Sequence, residues 1–232
     1  MKSFIMLGQS NMAGRGDFGE VPEIVNPNCF MLRNGRFIPM SEPINPDRKI
    51  WGDFHSGVGL AASFADEFAK NFGENVGLIP CADGGTYISE WQPGEVLFDN
   101  AVNQAKLAQR SSEIVGILFH QGENDSIDED DVKKYAKRFK NTIDTLKKEL
   151  HLSNDIPVII GALGDFVGDY QGGKLKHFKE INKILSELSA EYGVFVSAEG
   201  LTCKEDGIHF NSTSYREFGK RYFDAYLQIT KK

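Results

Sequence analysis

Short, continuous apolar runs alternate with longer amphipathic segments along this chain. Residues 2–7, 76–81, 114–119, 156–161 and 194–197 are runs of Ile, Val, Leu, Phe and Met, the pattern expected of parallel strands covered on both faces. Between them the period changes to that of helices. Val132, Tyr135, Phe139, Ile143, Leu146 and Leu150 recur at spacings of three and four and mark one apolar helix face, entered through a capping box at Ser126-Ile127-Asp128-Glu129. Tyr215, Phe218, Tyr222, Tyr226 and Ile229 do the same for a last helix, and 58–72, 96–109 and 175–192 complete the set. Five strands with intervening helices predict a three-layer α/β/α sandwich. One stretch breaks the alternation. From Gly14 to Ser56 the chain is rich in Pro, Asn, Gly and Asp without sustained periodicity, and a loop of this length in a compact domain is expected to wall a site.

The ends of the predicted strands are where the polar residues gather. After the first run comes Gly8-Gln9-Ser10-Asn11-Met12, after the second Cys81-Ala82-Asp83-Gly84-Gly85-Thr86, and after the third His120-Gln121-Gly122-Glu123-Asn124-Asp125. Turns at the carboxyl edge of an α/β sheet present side chains to ligand. Ser10 is a candidate nucleophile there, against the alternative that it only caps a following helix. A hydroxyl needs a base within hydrogen-bond reach, and that base needs a group fixing its tautomer. Asp206-Gly207-Ile208-His209 offers both from one turn. The paired glycines Gly84 and Gly85 let backbone N–H groups approach a ligand closely, as an oxyanion hole requires, and the Gln121 and Asn124 side-chain amides are further donors.

The order Ser, Gly, Gln/Asn, Asp-x-x-His resembles the block order of the SGNH hydrolase superfamily. The wording GQSNM, CADGGTYISEW, FHQGEND and DGIHFN resembles its carbohydrate-esterase branch, which contains sialate O-acetylesterases and family-six acetylxylan esterases. The blocks span both ends and the middle of the chain. The resemblance implies a flavodoxin-like strand order and one esterase domain over 1–232. It implies an activity needing no cofactor, in which acetyl groups are removed from carbohydrates through an acetyl-enzyme on Ser10, with His209 as base. Asp206 is the expected triad acid and Glu123 the alternative. The Ser10 N–H, Gly84 in preference to Gly85, and Gln121 are the expected oxyanion donors, with Asn124 as a fallback. Gln121 stands where the general superfamily pattern has Asn. Asn11, Trp51, Trp91 and Asn124 are the candidate substrate contacts, although a tryptophan serves as often in a core. The acyl carrier stays open between acetylated xylan or its oligosaccharides and O-acetyl sialic acid.

Composition narrows the classes. The chain has 232 residues, 25% of them charged, and a net charge of -7, which fits one sizeable α/β core and argues against a nucleic-acid-binding surface. No apolar run approaches the roughly 20 residues of a membrane span, and Met1-Lys2-Ser3-Phe4 passes directly into the first strand. Three cysteines without metal-type spacing read as reduced thiols. The expectation is a cytosolic protein with no membrane or nucleic-acid partner, its oligomeric state undetermined. The generic α/β-hydrolase elbow Gly-x-Ser-x-Gly fails at Met12, and there is no HExxH or Cys/His ligand pattern for zinc. Two rivals remain. A non-catalytic carbohydrate-binding domain would release no acetate; a metal-dependent phosphoesterase using His120, Glu123, Asp125, Asp206 and His209 would be indifferent to Ser10→Ala.

Overall fold

The structure, a computed structural model, describes residues 1–46 and 55–231. Elements follow in the order β1 (Lys2–Gly8), α1 (Ser10–Ala13), β2 (Cys29–Arg33), β3 (Arg36–Pro39), α2 (Leu60–Phe72), β4 (Val76–Pro80), α3 (Val96–Ala108), β5 (Glu113–His120), α4 (Glu129–Glu149), β6 (Val158–Gly161), α5 (Phe178–Tyr192), β7 (Gly193–Val196) and α6 (Ser212–Thr230). Among the described residues the sheet has seven strands in the order β3-β2-β4-β1-β5-β6-β7. Every pairing is parallel except that of β2 with β3. The five strands expected from the apolar runs occupy the stretch β4-β1-β5-β6-β7, the 2-1-3-4-5 order of flavodoxin-like folds.

The two additional strands correct the reading of 14–56 as a long loop. Cys29–Arg33 and Arg36–Pro39 pair antiparallel through Arg33 and Arg36. Between them lie Asn34 and Gly35 with φ of 49° and 74°, the two positive values that a two-residue hairpin turn demands and that Asn-Gly tolerates best. β2 then joins the sheet by pairing with β4. Its partner β3 is short, with exposed Arg36 and Pro39, features that blunt an edge strand.

β1 lies centrally and divides the core. Phe4 and Met6 face α2 and α6, while Ile5 and Leu7 face the layer built by α3, α4 and α5; side chains alternate across a strand, so one apolar run serves both layers. On the first face Phe4 meets Phe64 at 4.7 Å and Tyr226 at 5.1 Å between ring centroids, both edge-on, the arrangement the aromatic quadrupole favours. α4 differs in its entry from the capping-box expectation. Asp128 is its cap, accepting from the Asp130 N–H at 2.8 Å, because a separate 3-10 turn at Asn124–Ser126 uses the Ser126 hydroxyl on the Glu123 carbonyl. The three cysteines are free; Cys29 and Cys81 are buried, and burial pushes both thiols up to about 12. Among the described residues no helix is long and apolar enough to cross a membrane.

Candidate active site

Three turns converge at the carboxyl edge of β1. Its neighbours β4 and β5 lie on opposite sides, so connections leave the sheet edge in opposite directions there and open a crevice between them. Backbone bonds lock the turns together: Gln9 N–H donates to the His120 carbonyl at 3.0 Å and Asp83 N–H to the Gly8 carbonyl at 2.9 Å. Ser10 opens the single helical turn α1, in which Met12 and Ala13 donate to the Gln9 carbonyl and Gly14 to that of Ser10. The Ser10 N–H therefore lies ahead of the helix's own hydrogen bonds. Gly84 packs against Ser10 from the β4 side. A Cβ at position 84 would stand 3.4 Å from the Ser10 Cβ and 2.6 Å from an Arg15 guanidinium nitrogen.

The fourth element arrives from the segment before α6. Asp206 Oδ1 accepts the N–H groups of Ile208 and His209, each at 3.0 Å. This tight turn runs through Gly207 at φ 72°, a conformation open to glycine at no steric cost. The same carboxylate reaches the ring with its other oxygen: Asp206 Oδ2 and His209 Nδ1 are 2.8 Å apart. His209 Nε2 lies 2.9 Å from Ser10 Oγ. Burial raises the Asp206 carboxyl, but the bonds from the His209 ring and from the two backbone N–H groups outweigh it and hold the carboxyl far below its ordinary range. The array is reachable from solvent, with the Asp206 side chain 40% and the His209 side chain 13% exposed.

A family model described as carbohydrate esterase, sialic acid-specific acetylesterase matches residues 1–228. The chain belongs to that family. It is a carboxylic ester hydrolase. A probable carbohydrate esterase of Arabidopsis thaliana is 29% identical over 243 residues, covering 97% of this chain and 89% of its relative. The X-ray structure of that plant protein superposes with a TM-score of 0.86 at 28% identity over 98% of both chains. The fold is shared with NanS, at a TM-score of 0.80 and 16% identity over 99% and 97% of the two chains. It is shared too with a carbohydrate acetylesterase of Xanthomonas citri, at 0.71 and 19% over 99% of this chain and 56% of that one.

Elsewhere in the esterase, several residues selected from sequence lie in other places than expected. Glu123, the alternative triad acid, is wholly buried and sits against His120 Nε2 at 3.2 Å and the Asn11 amide at 2.6 Å, while Asp206 holds the His209 ring. Asn11 is 1% exposed and its amide turns inward to Glu123 and the Ile208 carbonyl. Gln121 is 0% exposed; its amide donates to the Thr86 carbonyl at 3.1 Å and to Asp125 Oδ2 at 2.6 Å. It braces the turn after β4 instead of facing an acyl oxygen. Asn124 is partly exposed and donates to the Gly85 carbonyl at 2.9 Å, bracing the same turn one residue earlier. Gly85 lies in open space at φ 73°, so Gly84 is the glycine beside Ser10.

Trp91 is a core residue and not a sugar platform. It is 1% exposed and its indole N–H donates to Thr86 Oγ1 at 3.2 Å. Trp51 lies outside the described residues. The five side chains of the metal-site reading separate into a buried His120–Glu123 pair, an Asp125 bonded to Ile88 N–H and Gln121, and the surface Asp206–His209 pair. No group of three or more His, Cys, Asp or Glu is placed to hold a metal ion among the described residues. Arg15 was missed by the sequence reading. Its place beside Gly84 had a signal, a lone cation five residues after Ser10 and flanked by Gly14 and Gly16.

Proposed function

We propose that this esterase removes O-acetyl groups from carbohydrates through an acetyl-enzyme on Ser10. The observation that carries this reading is the unbroken chain Asp206 Oδ2, His209 Nδ1, His209 Nε2, Ser10 Oγ, with links of 2.8 and 2.9 Å. Ser10 Oγ adds to the acetyl carbonyl carbon while its proton passes to His209 Nε2, and the charged Asp206 orients the ring and stabilises the imidazolium. When the tetrahedral adduct collapses, the C–O bond to the sugar breaks and the leaving oxygen takes the proton from His209. Water then adds to the acetyl-enzyme with the same ring as base, and acetate leaves. The Ser10 and Gly84 N–H groups are the donors to the oxyanion, each worth on the order of 100- to 1,000-fold in rate.

Acetate release from acetyl-xylooligosaccharides and from O-acetyl sialic acid, run beside mass spectrometry after an organophosphonate serine probe, tests the reading. Wild type is expected to release acetate and to carry the probe on Ser10, and Ser10→Ala to do neither. Activity surviving in Ser10→Ala, or probe on another serine, rejects it. The ratio of the two turnover rates assigns the sugar.

A further inference from the structure

We infer that Asn11, held in place by the buried carboxylate of Glu123, is a positioning residue that sets the distance between Ser10 and His209. The inference rests on the proposed roles of those two residues. Asn11 follows Ser10 directly in sequence, so whatever its side chain grips is tied to the nucleophile by one peptide unit. It grips both backbone neighbours of the base. Asn11 Nδ2 donates to the Ile208 carbonyl at 3.1 Å, and Asn11 Oδ1 accepts the Phe210 N–H at 3.3 Å. His209 lies between these two anchor points, 199 residues from Ser10 along the chain.

The rest of the side chain's capacity is used as well. The second Nδ2 hydrogen goes to Glu123 Oε1 at 2.6 Å, and the Tyr215 hydroxyl donates to Oδ1 at 2.6 Å. An asparagine has two amide hydrogens and two carbonyl lone pairs, and here all four have a partner. No other side chain of this size supplies two donors and two acceptors in that geometry. Asp cannot donate to Ile208, Leu can do neither, and Gln places the amide one methylene farther out.

Glu123 gives the amide its direction. An ionised carboxylate accepts only, so it admits the N–H end of Asn11 and rejects the carbonyl end, and the bond it makes is charge-assisted. Burial raises the Glu123 carboxyl, and the neighbouring His120 ring together with the bond from Asn11 more than reverses this, keeping it below its ordinary value. Glu123 is thus a buried charge whose oxygen Oε1 serves the residue next to the nucleophile. Further ties between the two loops lie farther out, where Lys204 Nζ reaches the Arg15 carbonyl at 2.9 Å and Asp17 at 2.6 Å and the Ser212 hydroxyl donates to the Asp17 carbonyl at 2.8 Å.

Three variants test the inference: Asn11→Asp, Glu123→Gln and Tyr215→Phe, assayed for kcat and KM on 4-nitrophenyl acetate and for the rate of Ser10 phosphonylation. Asn11→Asp loses both donors and is expected to lower kcat about 100-fold, the scale of a misplaced catalytic group, with KM held within about threefold. Glu123→Gln frees the amide to turn over and is expected to cost about tenfold; Tyr215→Phe removes one of four bonds and costs about threefold. Phosphonylation should slow in step with kcat. If Asn11→Asp does not fold, the other two variants still decide by the same readouts. Folded variants with kcat within twofold of wild type, or with KM raised at constant kcat, overturn the inference while leaving Ser10 as nucleophile. Wild-type labelling away from Ser10 overturns the triad reading and this inference with it.

Discussion

Two histidine–carboxylate pairs with the same three-residue spacing stand a short distance apart in this molecule, and their surroundings are opposite. Asp206 and His209 lie at the surface, 2.8 Å apart, with the far ring nitrogen 2.9 Å from a serine hydroxyl. His120 and Glu123 lie at the end of β5, 0% and 1% exposed, 3.2 Å apart but without hydrogen-bond alignment. The far ring nitrogen of His120 faces the Tyr222 hydroxyl at 3.5 Å, and that hydroxyl already donates to the Phe119 carbonyl. A histidine and a carboxylate three residues apart, in opposite order, therefore occur both aligned on a serine hydroxyl and packed in the interior. What separates them is the partner of the second nitrogen and whether a substrate can reach it.

The sharpest way to break this comparison is to neutralise each pair in turn. Asp206→Asn is expected to lower kcat by about 1,000- to 10,000-fold, because the ring loses its tautomer and the imidazolium its counter-charge. The same change should cost only about 1–2 kcal/mol in urea unfolding, since the Asp206 side chain is 40% exposed and asparagine keeps an oxygen for the two backbone N–H groups. Equal turnover in wild type and Asp206→Asn would place the acid elsewhere. His120→Leu should reverse the balance. It strips the buried Glu123 carboxylate of the ring that stands 3.2 Å from it, and a buried charge left with less support costs about 1–3 kcal/mol in urea unfolding; a variant of wild-type stability would show that the ring does not hold the carboxylate.

The pH profile sharpens the contrast further. Asp206 is held far below its ordinary range, so it stays charged wherever the protein is assayed, and the acid limb of kcat/KM should carry no carboxylate-type step. Such a step on that limb would contradict this. Asp125 gives the smallest effect and the opposite sign. Burial dominates there and raises its carboxyl to about 6, against the bonds from Gln121 and Ile88 that lower it. The folded state binds its proton more tightly than the unfolded chain, whose carboxyl titrates near about 3.9. Stability of the wild type relative to Asp125→Asn should accordingly be highest below about pH 4, fall as pH rises to about 6, and level off above. A flat difference across that window would mean that Asp125 ionises freely in the fold.

Which parts of this were legible in the sequence follows from where the information is stored. The five central strands announced themselves because each is buried on both faces and so must be apolar throughout, as in Ile114 to Phe119. The hairpin β2–β3 escaped because β3 is short and mostly exposed, although Asn34-Gly35 carried its turn in plain sight. Ser10, Asp206 and His209 were selected through local rules, a strand-end turn and a three-residue spacing, and these are the residues that the fold brings into one line. Asn11, Gln121 and Trp91 had been assigned outward roles, and the structure turns all three inward.

The chain's own order of residues determined the strands, the helices and the chemistry available at each strand end, because apolar periodicity and turn composition act over a few neighbouring residues. Tertiary structure alone decided which carboxylate meets which imidazole and which amide faces inside. Those choices depend on contacts such as Ser10 to His209 and Asn11 to Glu123, 199 and 112 residues apart, and a polar side chain's role is set by the desolvation and partners found there, which no local pattern records.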